Sequence, residues 1–149
     1  MAENIFEQFK AKIDSLLAQF CGEVLEKVPA VYNRLAEGDS ESVSQALTTC
    51  RRIIDSFADA VYPPRDSISG KDQEIKLGKQ QVLNRIQQFV SERVTSASRQ
   101  KRLTHTSRDL YDRICAGIHS DVVTSEEARC LFLLTYQFLG ELILLKHYT

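Results

Sequence analysis

The chain has 149 residues, of which 43% are hydrophobic and 26% charged, and a formal net charge of −1. Its length is that of one domain, residues 1–149, and suffices to bury about 70% of the surface that the unfolded chain exposes. The composition excludes a disordered polyelectrolyte, and the near-neutral balance does not mark the whole chain as a nucleic-acid binder.

The periodicity predicts five helices and one long loop. Residues 4–35 form the first helix. Ile5, Phe9, Ile13, Leu16, Leu17, Phe20, Val24, Leu25 and Val28 recur at helical spacing and are expected inward. Pro29 is expected to kink or split it, because proline lacks the amide donor and clashes with the preceding turn. Gly38-Asp39-Ser40 stops that helix and caps the next. The second helix, residues 41–61, carries one apolar stripe of Val43, Ala46, Leu47, Cys50, Ile53, Ile54, Phe57, Ala58 and Val61 before Pro63-Pro64 ends it.

Residues 63–78 form the one substantial loop, and no strand pattern is evident. Its Ser69-Gly70-Lys71 lacks the preceding strand and first glycine of a phosphate-binding P-loop. A third helix spans residues 79–95 and a fourth residues 99–116, with Gly117 expected to end the fourth. Thr124 and Glu127 have the spacing of a capping box that opens the fifth helix. That helix is apolar on nearly every face, as expected of the centre of a bundle or a surface covered by another subunit.

The chain opens without the long apolar run of a secretory signal, and residues 130–145 are too few for a comfortable membrane span. Cys21, Cys50, Cys115 and Cys130 lack zinc-site spacing and are expected as reduced packing residues. These features point to a cytoplasmic protein without metal, cofactor or membrane partner. Residues 85–113 carry seven Lys or Arg against three acids. Along that stretch Arg99, Lys101, Arg102 and Arg108 could follow a phosphate backbone, or simply form a solvated helix face.

The most informative segment is Arg113-Ile-Cys-Ala-Gly-Ile-His119, followed by Ser120 and Asp121. A guanidinium can hold a phosphate and an imidazole can move a proton. With eleven arginines and three histidines the spacing alone is easily met, and Arg99 to His105 meets it too. His119 is set apart by its place beyond a helix-ending glycine and close to the positive end of the next helix. The plain alternative is a loop histidine that hydrogen-bonds Asp121 or caps a helix.

The segments CRRIIDSFADAVYPP, VLNRIQQF and DLYDRICAGIHSDVVTSEEARCLFLLTYQFLGELI resemble a HEPN domain, above all the versions found in bacterial anti-phage and abortive-infection proteins. The likeness covers residues 40–145 well and the first helix loosely. It implies an all-α, five-helix bundle of HEPN type that pairs as a homodimer. Many such domains are metal-independent endoribonucleases with an Arg-x4–6-His motif, which here falls on Arg113 and His119. Ile114 stands after the arginine, where active members often carry Asn.

In that chemistry the 2′-hydroxyl of RNA is the nucleophile. His119 suits the proton transfers and Arg113 the phosphorane oxygens, leaving a 2′,3′-cyclic phosphate. Ser120, Asp121, Asp55, Asp59 and Asp109 are candidates to flank the site, with Tyr111 and Asp112 nearby. The resemblance thus implies RNA cleavage in phage defence or a toxin-like role. The alternatives are an inactive helical module for dimerisation or partner binding, or the neutralising partner of a toxin–antitoxin pair. In such pairs a tyrosine usually stands where this chain has Asp121.

Overall fold

In the computed structural model, which describes residues 4–119 and 122–148, six helices surround one apolar core. They are α1 (Ile5–Phe20), α2 (Gly22–Glu37), α3 (Ser40–Val61), α4 (Val82–Arg93), α5 (Ala97–His119) and α6 (Ser125–Tyr148). Two short antiparallel strands, β1 (Ile68–Ser69) and β2 (Glu74–Ile75), pair in the loop between α3 and α4, with Ile68 opposite Ile75. The architecture is all-α, but it is not the expected five-helix bundle of HEPN type.

The sixth helix arises because the first predicted helix breaks at Cys21 and not at Pro29. Cys21 leaves helical geometry at φ −145° and ψ 50°, and its N–H bonds the Leu17 carbonyl. Gly22 follows, and glycine is a weak helix former. Pro29 lies inside α2 on an exposed face. Its missing amide deprives the Leu25 carbonyl of one helical partner without ending the helix. At the other end of α2, Gly38 adopts φ 76° and the Asp39 carboxylate accepts the Ser42 N–H at 2.9 Å. Stop and cap stand where the sequence places them.

The stripe of α3 is fully used: Val43, Ala46, Leu47, Cys50, Ile53, Ile54, Phe57, Ala58 and Val61 are all buried. α3 packs against α2, α4, α5 and α6. α6 touches every other helix and buries Leu131, Phe132, Phe138, Leu139, Leu142 and Ile143. It is a 24-residue helix, long and apolar enough to cross a membrane, although over half of its most apolar window is buried among its neighbours.

The loop after α3 is clipped by one buried cation. Arg85 of α4 is fully buried. It donates to Asp59 at 2.9 Å, to the Tyr62 carbonyl at 3.1 Å and to the Lys79 carbonyl at 2.9 Å. Its guanidinium therefore ties the end of α3 to the start of α4. Ser69-Gly70-Lys71 sits at the tip of the small hairpin, where the Gly70 N–H bonds the Gln73 carbonyl.

Gly117 does not end a helix. It lies buried in the last turns of α5, which run on to His119. A side chain there has no room. A Cβ would stand 2.8 Å from Val123 Cγ2 and nearer still to Leu47 Cδ1. The Ser44 hydroxyl donates to the Ile118 carbonyl at 3.2 Å beside it. Glycine is thus required for the close approach of α5 to α3, at a helical backbone that any residue could adopt. Gly117→Ala is expected to lower unfolding stability by about 1–3 kcal/mol through overpacking, although alanine is the better helix former. Urea denaturation of the two proteins measures the difference, and equal midpoints would refute the packing role.

Candidate functional site

Arg113 and His119 both lie on α5, so the pair does not come from neighbouring helices. Six residues carry His119 about 9 Å along the axis and about 120° round it from Arg113. The two side chains leave the helix in different directions. His119 is exposed on the final turn and makes no hydrogen bond or ion pair among the described residues. Ser120 and Asp121 lie outside the described residues.

Arg113 is held. Its Nε and Nη2 each donate at 2.6 Å to the two carboxylate oxygens of Glu127, and Nη2 also reaches the Val122 carbonyl at 3.4 Å. The fork matches a carboxylate as it would match a phosphate. Both side chains stay partly open, with 42% of Arg113 and 32% of Glu127 exposed. Glu127 was expected to complete a capping box. Its N–H does bond the Thr124 hydroxyl at 3.1 Å, while its side chain faces the arginine.

The basic stretch is likewise engaged at one end. Glu141 of α6 collects Arg99 at 2.9 Å and Arg102 at 2.6 Å. Lys101 and Arg108 remain exposed, as does Asp109. The four expected RNA-binding cations therefore do not form one free row. Glu23 and Lys27 pair with each other along α2 at 3.3 Å.

Asp55 and Asp59 come together elsewhere, in a polar groove of 590 Å³ between α3, α5 and the approach to α4. Arg51, Tyr111, Cys115, Lys79 and Arg85 line it with them. α3 and α5 run antiparallel here, so that Tyr111 donates to Asp55 at 3.3 Å while Ser44 meets Ile118. Burial raises the Asp55 carboxyl above its usual value and pushes the Tyr111 phenol up to about 12. On the α5 wheel Arg113 points about 160° away from Cys115. The groove therefore belongs to the side of the helix opposite Arg113. The sequence periodicity did not reveal Arg51, Tyr111, Cys115 and Arg85 as neighbours, because they converge from three elements.

A second concavity, 740 Å³, lies between α1, α2 and α6. Ile5, Phe6, Phe9, Val28, Tyr32 and Leu133 are on its walls. Ile5, expected in the core, is 73% exposed, and Phe6 is 81% exposed. The outward residues of α6, Leu133 and Leu134, are 61% and 48% exposed. Among the cysteines Cys21 and Cys50 are buried, Cys115 is partly buried, and Cys130 is exposed and so not a packing residue. Among the described residues no group of three His, Cys, Asp or Glu could hold a metal ion.

No family model, no curated protein and no solved structure matches the chain.

The Arg113 fork holds Glu127 below the usual carboxylate range, chiefly through their hydrogen bonds. A depressed carboxylate adds stability that is fully present above its unfolded pKa and is lost as pH falls through its folded pKa. The contribution is thus expected at neutral pH and to fade from about pH 5 downward. Glu127→Gln should flatten that part of the acid limb in urea midpoints measured across pH. An unchanged limb would show that the pair contributes nothing.

Proposed function

We propose that this chain is a helical interaction module that pairs with a second copy of itself through the groove between α1, α2 and α6. The observation that carries this reading is the apolar character of that groove, on whose walls Ile5 and Phe6 are largely exposed. Large exposed apolar surfaces mark interaction sites. One apolar face of this kind suits a two-fold operator, which lays the same patch of each copy against the other's. The rim charges are balanced as well. Lys10 and Asp14 pair at 2.6 Å, so like charges need not meet.

Phe6→Asp combined with Leu133→Asp places four carboxylates in the paired interface. Sedimentation analysis is expected to show a dimer for the native chain and a monomer for the double variant, with unchanged helical circular dichroism. A native chain that sediments as a monomer at about 100 μM, a concentration that reveals even weak pairing, would remove the proposal.

A second reading keeps the chemistry that the resemblance implies: metal-independent RNA cleavage in phage defence or as a toxin. It is favoured by the exposure of His119 and by the partial exposure of the Arg113–Glu127 pair. An RNA phosphate offers the same two-point acceptor as Glu127 and could displace it. Arg113 would then face the phosphorane; His119, about 9 Å on and about 120° round α5, requires a second copy to complete the site, one imidazole taking the 2′-hydroxyl proton and the other protonating the departing 5′-oxygen. Purified protein in a chelator is expected to fragment single-stranded RNA to 2′,3′-cyclic phosphate ends. His119→Ala should abolish cleavage, and Glu127→Gln should lower KM by releasing the guanidinium. Intact RNA after prolonged incubation leaves the interaction module as the surviving reading.

A further inference from the structure

α6 is apolar on nearly every side, and its neighbours cover only part of it. A helix of that kind is central in its own bundle or covered from outside. Outward it presents Glu126, Cys130, Leu133, Leu134 and Gln137, all exposed, and the partly exposed Glu141. These six positions lie within about 100° of one another round the helix. Leu133 and Gln137 also line the apolar groove beside α1 and α2, so stripe and groove form one continuous surface.

We propose that a second copy of the chain covers this stripe, with α6 antiparallel to α6 about a two-fold axis between Leu133 and Leu134. The inference rests on the self-pairing proposed above and assigns its register. Spacing carries it. Along the chain the six positions are separated by four, three, one, three and four residues, the same order from either end. An isologous contact lays one patch against the identical patch turned round, so a stripe with that symmetry is its own complement. In this register Cys130 comes level with Gln137 of the second copy. The two leucines, on either side of the axis, pack against their counterparts.

The ends of the stripe differ in charge in the sense that the register needs. Glu126 is exposed and forms no ion pair among the described residues. Arg129, one turn on, reaches toward α2 and donates to the Leu35 carbonyl at 3.3 Å. At the other end Glu141 takes both Arg99 at 2.9 Å and Arg102 at 2.6 Å, which leaves one positive charge in excess. Antiparallel order brings that excess level with Glu126, whereas parallel order would set like ends together.

Oxidative cross-linking of the full chain reads the register. Gln137→Cys sets a thiol opposite Cys130 of the second copy, and copper–phenanthroline oxidises the two thiols to a disulfide. Within one chain the two positions stand about 10 Å apart along the helix, too far to be bridged. A covalent dimer is expected for Gln137→Cys on non-reducing gels, absent from the native chain and lost when Cys130→Ser is added. Leu134 does not line the groove. Leu134→Asp should nevertheless weaken pairing in sedimentation by about tenfold or more, with unchanged helical circular dichroism. A dimer that fails to cross-link, or that Leu134→Asp leaves unchanged, overturns the register and leaves pairing through the groove standing. A native chain that sediments as a monomer removes both.

Discussion

A planar cation gripped at two points by one carboxylate fixes the junction between the last two helices. Arg113 and Glu127 stand on α5 and α6, on either side of the short connection. Each needs the other helix to be where it is, and together they tie α5 to the first turn of α6. The Val122 carbonyl accepts from the same guanidinium, so the residue just ahead of α6 is held to α5 as well. The chemistry open to this end of the molecule follows from that. A fork already filled offers RNA nothing until its acceptor leaves, whereas a scaffold benefits from its being filled.

Much of the fold was legible in local signals. The α3 stripe is buried throughout because a single face at period 3.6 has one way to meet a core. Gly38 and Asp39 act as read, since a left-handed cap and an amide-accepting carboxylate are properties of those residues themselves. The failures all concern distance along the chain. Pro29 is the strongest local breaker, yet the helix breaks at Cys21, where the core lets α1 and α2 turn against each other. Gly117 reads as a terminator and is in fact a spacer against Leu47 and Val123. Only the tertiary neighbour distinguishes the two uses.

The candidate site shows the same division. The residue types were visible, but their partners were not. A run of arginines counts as positive in any sequence window. In the folded chain, one carboxylate 39 positions or more downstream draws two of them onto itself. The capping-box glutamate had two suitors, the backbone amide of Thr124 and a guanidinium, and the longer reach prevailed. Ile5 fitted the core stripe of α1 by spacing and lies outside it, because no helix covers the start of α1 on that side. Asp55 and Asp59 do meet at a polar site, on the face of α5 turned away from the arginine they were expected to serve.

Gly117 has a mechanical corollary. Where two helices meet through interdigitated side chains, small displacements are absorbed by rotamer changes. At Gly117 the space that a Cβ would take is filled instead by the Leu47 side chain of α3 and by Val123. A twist of the terminal turn would meet these side chains at once and would also stretch the Ser44–Ile118 hydrogen bond. His119 stands two residues beyond this contact, so the place of its turn is set by Leu47 and Val123 and not by anything the imidazole itself touches.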